Sequence, residues 1–237
     1  MPLPTSLAAP RTSHPRVPRL RVAPLLTALA ACLAAAAAAD PPPEWRPLFD
    51  GRGLGDWKPT PFGGEGDVVV RDGSLRIAMG ADLSGVTWTG DFPRQGFELA
   101  LQARRVEGHD FFCGLTFPVG DDHSSLILGG WGGAVVGLSS IDGQDAANNA
   151  TTQVIPFEQG RWYAVRVRVT PARIACFLDD EPIVDQPLDG HIISVRQEVE
   201  PSQPLGIATY ATTAEVREIR WRPIAADAAP TPAERPR

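Results

Sequence analysis

Cysteine is scarce in this chain of 237 residues, with Cys32, Cys113 and Cys176 its whole complement. Three sulfurs cannot build a disulfide framework or a four-sulfur zinc site. Lysine is scarcer still: Lys58 is the single one among 22 Lys and Arg residues. Helical periodicity at i, i+3, i+4 and i+7 is almost missing, which argues against helix bundles and against parallel sheets with helical crossovers. A Gly-x-Ser-x-Gly elbow, a phosphate-binding glycine loop and a His-Glu-x-x-His helix are also absent. The sequence therefore gives no ground for serine-hydrolase, nucleotide or zinc-protease chemistry.

What is there begins with an export signal. Arg11, Arg16, Arg19 and Arg21 precede an uncharged apolar run from Val22 to Ala39, the layout of a signal peptide over residues 1–39. The run is mostly alanine, which inserts weakly, so no membrane insertion is expected. Ala37-Ala38-Ala39 suits ordinary cleavage, while Leu29-Ala30-Ala31-Cys32 resembles a lipoprotein box; simple secretion to the periplasm or beyond is the reading preferred. Loss of the four arginines deepens a net charge that is already −6. Such a field repels nucleic acid and anionic membrane and leaves neutral sugar untouched.

Pro41-Pro42-Pro43 makes residues 40–44 a stiff linker, and residues 224–237 read as an unstructured tail. Between them, residues 45–223 form one domain of short strands with period two. Val165-Arg166-Val167-Arg168-Val169 alternates apolar and charged, and Asp72-Gly73 sits between Val68-Val69-Val70-Arg71 and Ser74-Leu75-Arg76-Ile77 as a tight hairpin turn. Further strands are expected over 96–106, 110–117, 124–128, 134–139, 173–178, 182–185, 205–211 and 216–221. The fold class that follows is all-β, a two-sheet antiparallel jelly-roll sandwich. Cys113 and Cys176 lie in phase with apolar neighbours and read as buried thiols, although export would also permit a bridge between them.

Polar groups concentrate between Glu107 and Thr152. Trp131, inside Gly129-Gly130-Trp131-Gly132-Gly133, is either a stacking platform for a pyranose or a core residue beneath closely approaching sheets. His109 and His123 could act as bases or as hydrogen-bonded loop residues. Asp142-Gly143-Gln144-Asp145 offers oxygen ligands for a divalent cation such as calcium, but it lacks the alternating acids of an EF-hand loop and reads better as a turn; no metal ligands are assigned. Asn149-Ala150-Thr151 fits a glycosylation pattern too common to weigh. Of the carboxylates spaced i, i+2, Asp179 with Glu181 and Glu198 with Glu200 both fall next to prolines, and neither makes a good glycosidase pair.

Leu48-Phe49-Asp50-Gly51 followed by Leu54 and Asp56-Trp57-Lys58 resembles the opening of the secreted 3-keto-disaccharide hydrolase family, formerly a domain of unknown function. Asp72-Gly73-Ser74-Leu75, Gly96-Phe97-Glu98-Leu99 and Gly160-Arg161-Trp162-Tyr163 extend the likeness over nearly the whole domain. The stretch Glu107 to Leu115 departs from the Gly-Gly-Asn-Ser-Gly-Ile of commoner members, and the Gly-Gly-Trp-Gly-Gly and Asp-Gly-Gln-Asp stretches look like a subgroup variant. The resemblance implies a concanavalin-like fold and cleavage of glycosides already oxidised at C3. A C3 ketone acidifies the hydrogen on C2, so one base can expel the C1 substituent, and no carboxylate pair is needed. Candidates for the proton transfers are His109, Asp110 and Glu98; Trp131, Asp142, Gln144 and Asn148 are candidates for holding substrate. The expected partner is a glycoside or polysaccharide, with a sugar oxidoreductase upstream to install the ketone. The alternative is a non-catalytic carbohydrate-binding module using the same loops.

Overall fold

The computed structural model describes residues 43–224. The expected signal peptide over residues 1–39, Cys32, Pro41-Pro42 and the expected tail from Ala225 lie outside the described residues.

In chain order, the strands of the first half are β1 (Arg46–Pro47), β2 (Trp57–Pro59), β3 (Val68–Arg71), β4 (Ser74–Ile77), β5 (Leu83–Trp88), β6 (Phe97–Gly108), β7 (Cys113–Val119) and β8 (Asp122–Gly130). Those of the second half are β9 (Val135–Ser139), β10 (Gln153–Val154), β11 (Tyr163–Val169), β12 (Arg173–Leu178), β13 (Glu181–Pro187), β14 (Gly206–Tyr210) and β15 (Thr212–Pro223), with one 3-10 turn at Gln197–Ser202 before β14. They make two antiparallel sheets. One has eight strands in the order β13-β12-β11-β6-β15-β4-β3 with β1 beside β15; the other has seven, in the order β10-β9-β8-β7-β14-β5-β2. The chain is a jelly-roll sandwich, as its alternation implied. Among the described residues no helix is long and apolar enough to cross a membrane.

Alternation decides which side of each strand is buried. Leu99, Leu101 and Ala103 of β6 and Val165 and Val167 of β11 face Leu115 of β7, Leu126 and Leu128 of β8 and Ile207 of β14 in one core. Cys113 and Cys176 are buried in it as free thiols. Trp57, fully buried, donates its indole N–H to the Leu48 carbonyl at 2.9 Å and meets Trp88 edge-on. The Asp72-Gly73 turn joins β3 to β4 with both residues at positive φ, 50° and 74°, as an Asp-Gly hairpin requires.

Four strands escape the sequence reading. β1, β2 and β10 are two or three residues long, too short to carry a period. β5 is hidden because Ser84 takes a fully buried position, accepting the Gly66 amide at 2.9 Å, where alternation would call for an apolar side chain.

Candidate functional site

The outward face of the seven-stranded sheet is paved with small residues. Strand register lines up Gly85, Ala208, Gly114, Ile127 and Gly137 in one row. The next row is Thr87, Gly206, Thr116, Ser125 and Ser139. Their neighbours along each strand point into the core, so a low floor on one side and a full core on the other come from the same alternation. Above the floor opens a cleft of about 680 Å³ walled by Phe62, Asp82, Asp110, Phe111, Trp131 and Tyr210, a size that suits a sugar-sized ligand. The Phe111 ring lies over Gly114 and stacks on Tyr210, with centroids 6.1 Å apart. Trp131 is 44% exposed at the wall.

Trp131 stands out because it is held in place at a cost. Its φ is 49°, a left-handed conformation that costs a bulky residue about 1 kcal/mol or more. Two groups hold it there. Asp110 accepts the Phe111 amide through Oδ1 at 2.7 Å and the Gly132 amide through Oδ2 at 2.8 Å. Arg105, 6% exposed, aims its guanidinium at main-chain carbonyls, donating to Asp110, Gly129 and Gly133 at 3.0 to 3.3 Å. Gly129 must be glycine here: its φ is 78°, and a Cβ would come within 2.5 Å of the Arg105 Nη2. The glycines therefore serve the loop, and the tryptophan is presented to solvent, which excludes the core reading.

At the other end of the cleft are Arg196 and Glu198, linked Nη2 to Oε1 at 2.7 Å. The hydrogen bond from Arg196 holds the Glu198 carboxyl below the usual carboxylate range. Arg196 also donates to Asp145 at 3.2 Å. Beyond this pair lies a second, polar depression of about 380 Å³ whose lining includes Ser140, Gln144, Asn148 and Ser194.

The structure gathers some of the expected site residues and scatters others. Asp110 and Trp131 line the cleft, and Gln144 and Asn148 line the adjoining depression. His109 is exposed and is not among the cleft residues. Glu98 is a correction. It projects from β6 on the outward face of the other sheet, wholly buried, with Arg166 at 2.7 Å, Arg168 at 3.3 Å and Arg222 at 2.6 Å; the sandwich separates it from the cleft. Asp142 is a second correction. With Gly143 it makes a turn at φ 52° and 76°, and its carboxylate takes the Ile192 amide and the His191 ring, each at 2.8 Å. Those bonds hold its carboxyl below the usual range and pin the turn to the 191–194 segment, outside the cleft. Asn149 is a loop brace, donating to the carbonyls of Leu138, Gln144 and Asp145 while Thr151 donates back to it. Among the described residues no group of three or more His, Cys, Asp or Glu side chains is placed to hold a metal.

The family model of the 3-keto-alpha-glucoside-1,2-lyase-like domain matches residues 44–222. The chain belongs to this family. No curated protein matches the sequence. Among solved structures, this lyase-like domain is similar to a Bacillus subtilis protein of unknown function with a galectin-like fold, at 12% identity over 76% of this chain and 94% of that one, with a TM-score of 0.55. It is also similar to the Crh5 transglycosylase in complex with NAG, at 12% identity over 82% and 89% of the two chains, TM-score 0.53. An endo-acting O-glycanase structure from human gut microbiota gives 12% identity, 76% and 100% coverage and a TM-score of 0.53. At such identities the likeness is one of fold, and with the family it marks a carbohydrate-active or carbohydrate-binding protein.

Several cleft residues of this lyase-like domain were invisible in the sequence. Phe111 and Tyr210 come together from strand ends about a hundred positions apart, and Arg105 reads as one more charge on a β-strand. In the sequence Glu198 shows only as half of a carboxylate pair; it sits on a 3-10 turn, where its partner is Arg196 two residues earlier.

Proposed function

We propose that the cleft holds a glycosyl unit flat against Trp131 and the Phe111–Tyr210 stack, and that the bound sugar is a 3-keto-glycoside cleaved by elimination between C1 and C2. The observation that carries this reading is aromatic walls over a floor of glycine, alanine, serine and threonine, with an Arg–Glu pair at one end. An aromatic wall offers its face to the C–H side of a pyranose, and the low floor leaves the depth that a ring needs. The family name supplies the reaction class, and the chemistry supplies the roles.

Glu198, kept ionised at neutral pH by Arg196, removes the C2 proton. The C–H electron pair moves to C2–C3 and the charge to the C3 oxygen, where the Arg196 guanidinium stabilises it. Collapse of the enolate breaks the C1–O bond and leaves a C1–C2 double bond; the departing oxygen takes a proton, for which the Tyr210 hydroxyl stands on the wall. Water added across the double bond completes a net hydrolysis. The departing sugar occupies the polar depression around Gln144 and Asn148, whose groups hydrogen-bond hydroxyls rather than stack. Export of the protein and an oxidoreductase that makes the ketone belong to the same reading.

A second reading, a binding module without catalysis, is favoured by one observation: both oxygens of the Asp110 carboxylate are already engaged by backbone amides. The test is to incubate residues 40–237 with a panel of 3-keto-glycosides, with and without chelator. Turnover is expected, with Glu198→Gln lowering kcat by about 10²- to 10⁴-fold while substrate still binds. Binding of sugar with no turnover on any member would establish the module instead.

A further inference from the structure

The outward face of the eight-stranded sheet carries an arginine lattice that the cleft does not use. Register sets it out in rows across the strands. Arg168 of β11, Glu98 of β6 and Arg222 of β15 form one row, and Arg166, Ala100 and Arg220 the next. A few residues along the same strands, Arg217 lies beside Gln102, then Glu215 beside Arg104 and Arg76. Arginine outnumbers acid several-fold in these rows, on a chain whose net charge is −6. Acidic charge must therefore dominate the rest of the molecule, leaving this face as a positive field of its own.

The guanidiniums are fixed as well as concentrated. Arg104 and Arg217 lie over the Trp162 ring at 4.5 and 4.1 Å, and Arg220 and Arg222 over Trp45 at 5.1 and 4.6 Å. Arg76, Arg104 and Arg217 keep 30%, 33% and 37% of their side-chain surface open to solvent. Every cation in the lattice is arginine, since the one lysine, Lys58, belongs to the other sheet. A rigid planar fork matches a carboxylate bidentately, as a lysine cannot. The lattice already holds one carboxylate between two arginines, Arg104 giving Nε and Nη2 to Oε2 of Glu215 at 2.8 and 2.5 Å and Arg76 giving Nη1 to its Oε1 at 3.0 Å.

We propose that this face binds a linear acidic polysaccharide through its carboxylates, at a site separate from the cleft. From Glu98 to Arg104 the lattice extends roughly 20 Å along β6 at the usual strand rise, a length that calls for a polymer. The apolar side chains in these rows include the small Ala100, Ala164 and Ala175, Phe177, which Arg166 covers at 3.9 Å, and Val69 beside Arg76, 47% exposed; one valine among arginines is too little apolar surface to enter a bilayer. Trp162 and Trp45 carry guanidiniums on their rings, so they do not offer those faces to nucleic-acid bases. The cleft opens on the opposite sheet. The polymer therefore tethers the protein while the glycosyl site stays free.

The experiment measures retention of residues 40–237 on polygalacturonate by affinity electrophoresis, beside fully methyl-esterified polygalacturonate, duplex DNA and anionic phosphatidylserine vesicles. Binding to polygalacturonate that weakens as salt rises and disappears on esterification is expected. Arg76→Gln, Arg217→Gln and Arg220→Gln combined should weaken it at least tenfold, while Trp131→Ala leaves it unchanged. If the triple variant does not fold, Arg220→Glu alone, at an exposed position, should weaken it several-fold. Equal retention on the esterified polymer, DNA or vesicles capturing the protein as tightly at the same salt, or arginine variants that bind like the parent would each overturn the proposal. These outcomes are independent of whether the cleft cleaves a 3-keto-glycoside.

Discussion

The carboxylate of Asp110 accepts the amide of Gly132 at 2.8 Å, and this bond ties the connection from β6 to β7 to the loop that displays Trp131. Asp110 is thereby a brace. Its main chain is held equally firmly, its amide donating to Thr212 Oγ1 at 3.1 Å and its carbonyl receiving Arg105. An acid whose two oxygens are occupied by backbone donors has little freedom to shuttle protons. Asp110→Ala should therefore loosen Trp131 and weaken sugar binding about tenfold, and Asp110→Asn, which keeps one oxygen acceptor, should restore part of the loss. Titration of a glycoside by calorimetry measures both. A variant that binds sugar like the parent but has lost all turnover would return Asp110 to the chemistry.

Glu98 invites the opposite experiment. One buried carboxylate faces three guanidiniums, drawn from 68, 70 and 124 positions away in the chain. Glu98→Gln removes the carboxylate that these three guanidiniums share and leaves the arginines to repel one another in a buried place, a change that costs about 3–5 kcal/mol. A fall in Tm of about 6 °C or more is expected for a domain of this size, with kcat and KM of the surviving folded protein unaltered. A stable Glu98→Gln protein that had lost activity would put this residue back in the site.

Those long separations also explain what could be read from the sequence and what could not. Val165 to Val169 shows its two faces directly, and Arg166 and Arg168 do point outward; that Arg168 is nonetheless buried and Arg166 partly so depends on Glu98 and Arg222, which no local pattern links to them. Asp72-Gly73 declares its turn because the positive φ is a property of those two residues. Trp131 was legible only in part: its glycine neighbours fit a platform and a core residue equally, and the braces that present it, Asp110 and Arg105, come from another part of the chain. The cleft floor was not, since Gly85, Gly114 and Gly137 become one surface only when β5, β14, β7, β8 and β9 lie side by side. Likewise Asn149-Ala150-Thr151 fits only a common glycosylation pattern in sequence, and the fold uses the Asn149 and Thr151 side chains to brace a loop.

Acid should weaken this fold in a definite window. Burial pushes the carboxyls of Glu98 and Glu215 up, but hydrogen bonds and charge from Arg166, Arg222 and Arg168 on the first, and from Arg104 and Arg76 on the second, outweigh it and hold both below the ordinary glutamate value. A group with a depressed folded pKa contributes its stability above the unfolded value of about 4.3 and loses it as pH falls through the folded one. The urea midpoint should stay level from about pH 7 to 5 and fall steeply below about pH 4. Glu215→Gln should flatten that fall. A midpoint that rises on acidification would show the arginine pairs to be unimportant.

The two core thiols give a last test of how tightly the sandwich is closed. Cys113 comes from the seven-stranded sheet and Cys176 from the eight-stranded one; both are fully buried and free. Burial pushes the Cys113 thiol up to about 12 and raises Cys176 as well. Only the thiolate attacks an aromatic disulfide reagent, so at pH 8 both groups are protonated as well as shielded. In the native protein neither should react within minutes at neutral pH, and both should react at once in denaturant. Two thiols titrated in denaturant without reductant would establish that no bridge forms between them. A native protein that titrates one thiol at the rate of a free peptide would mean that the sheets part readily. In that event the cleft floor, built on the back of β7 and its neighbours, could not hold a sugar ring at fixed depth.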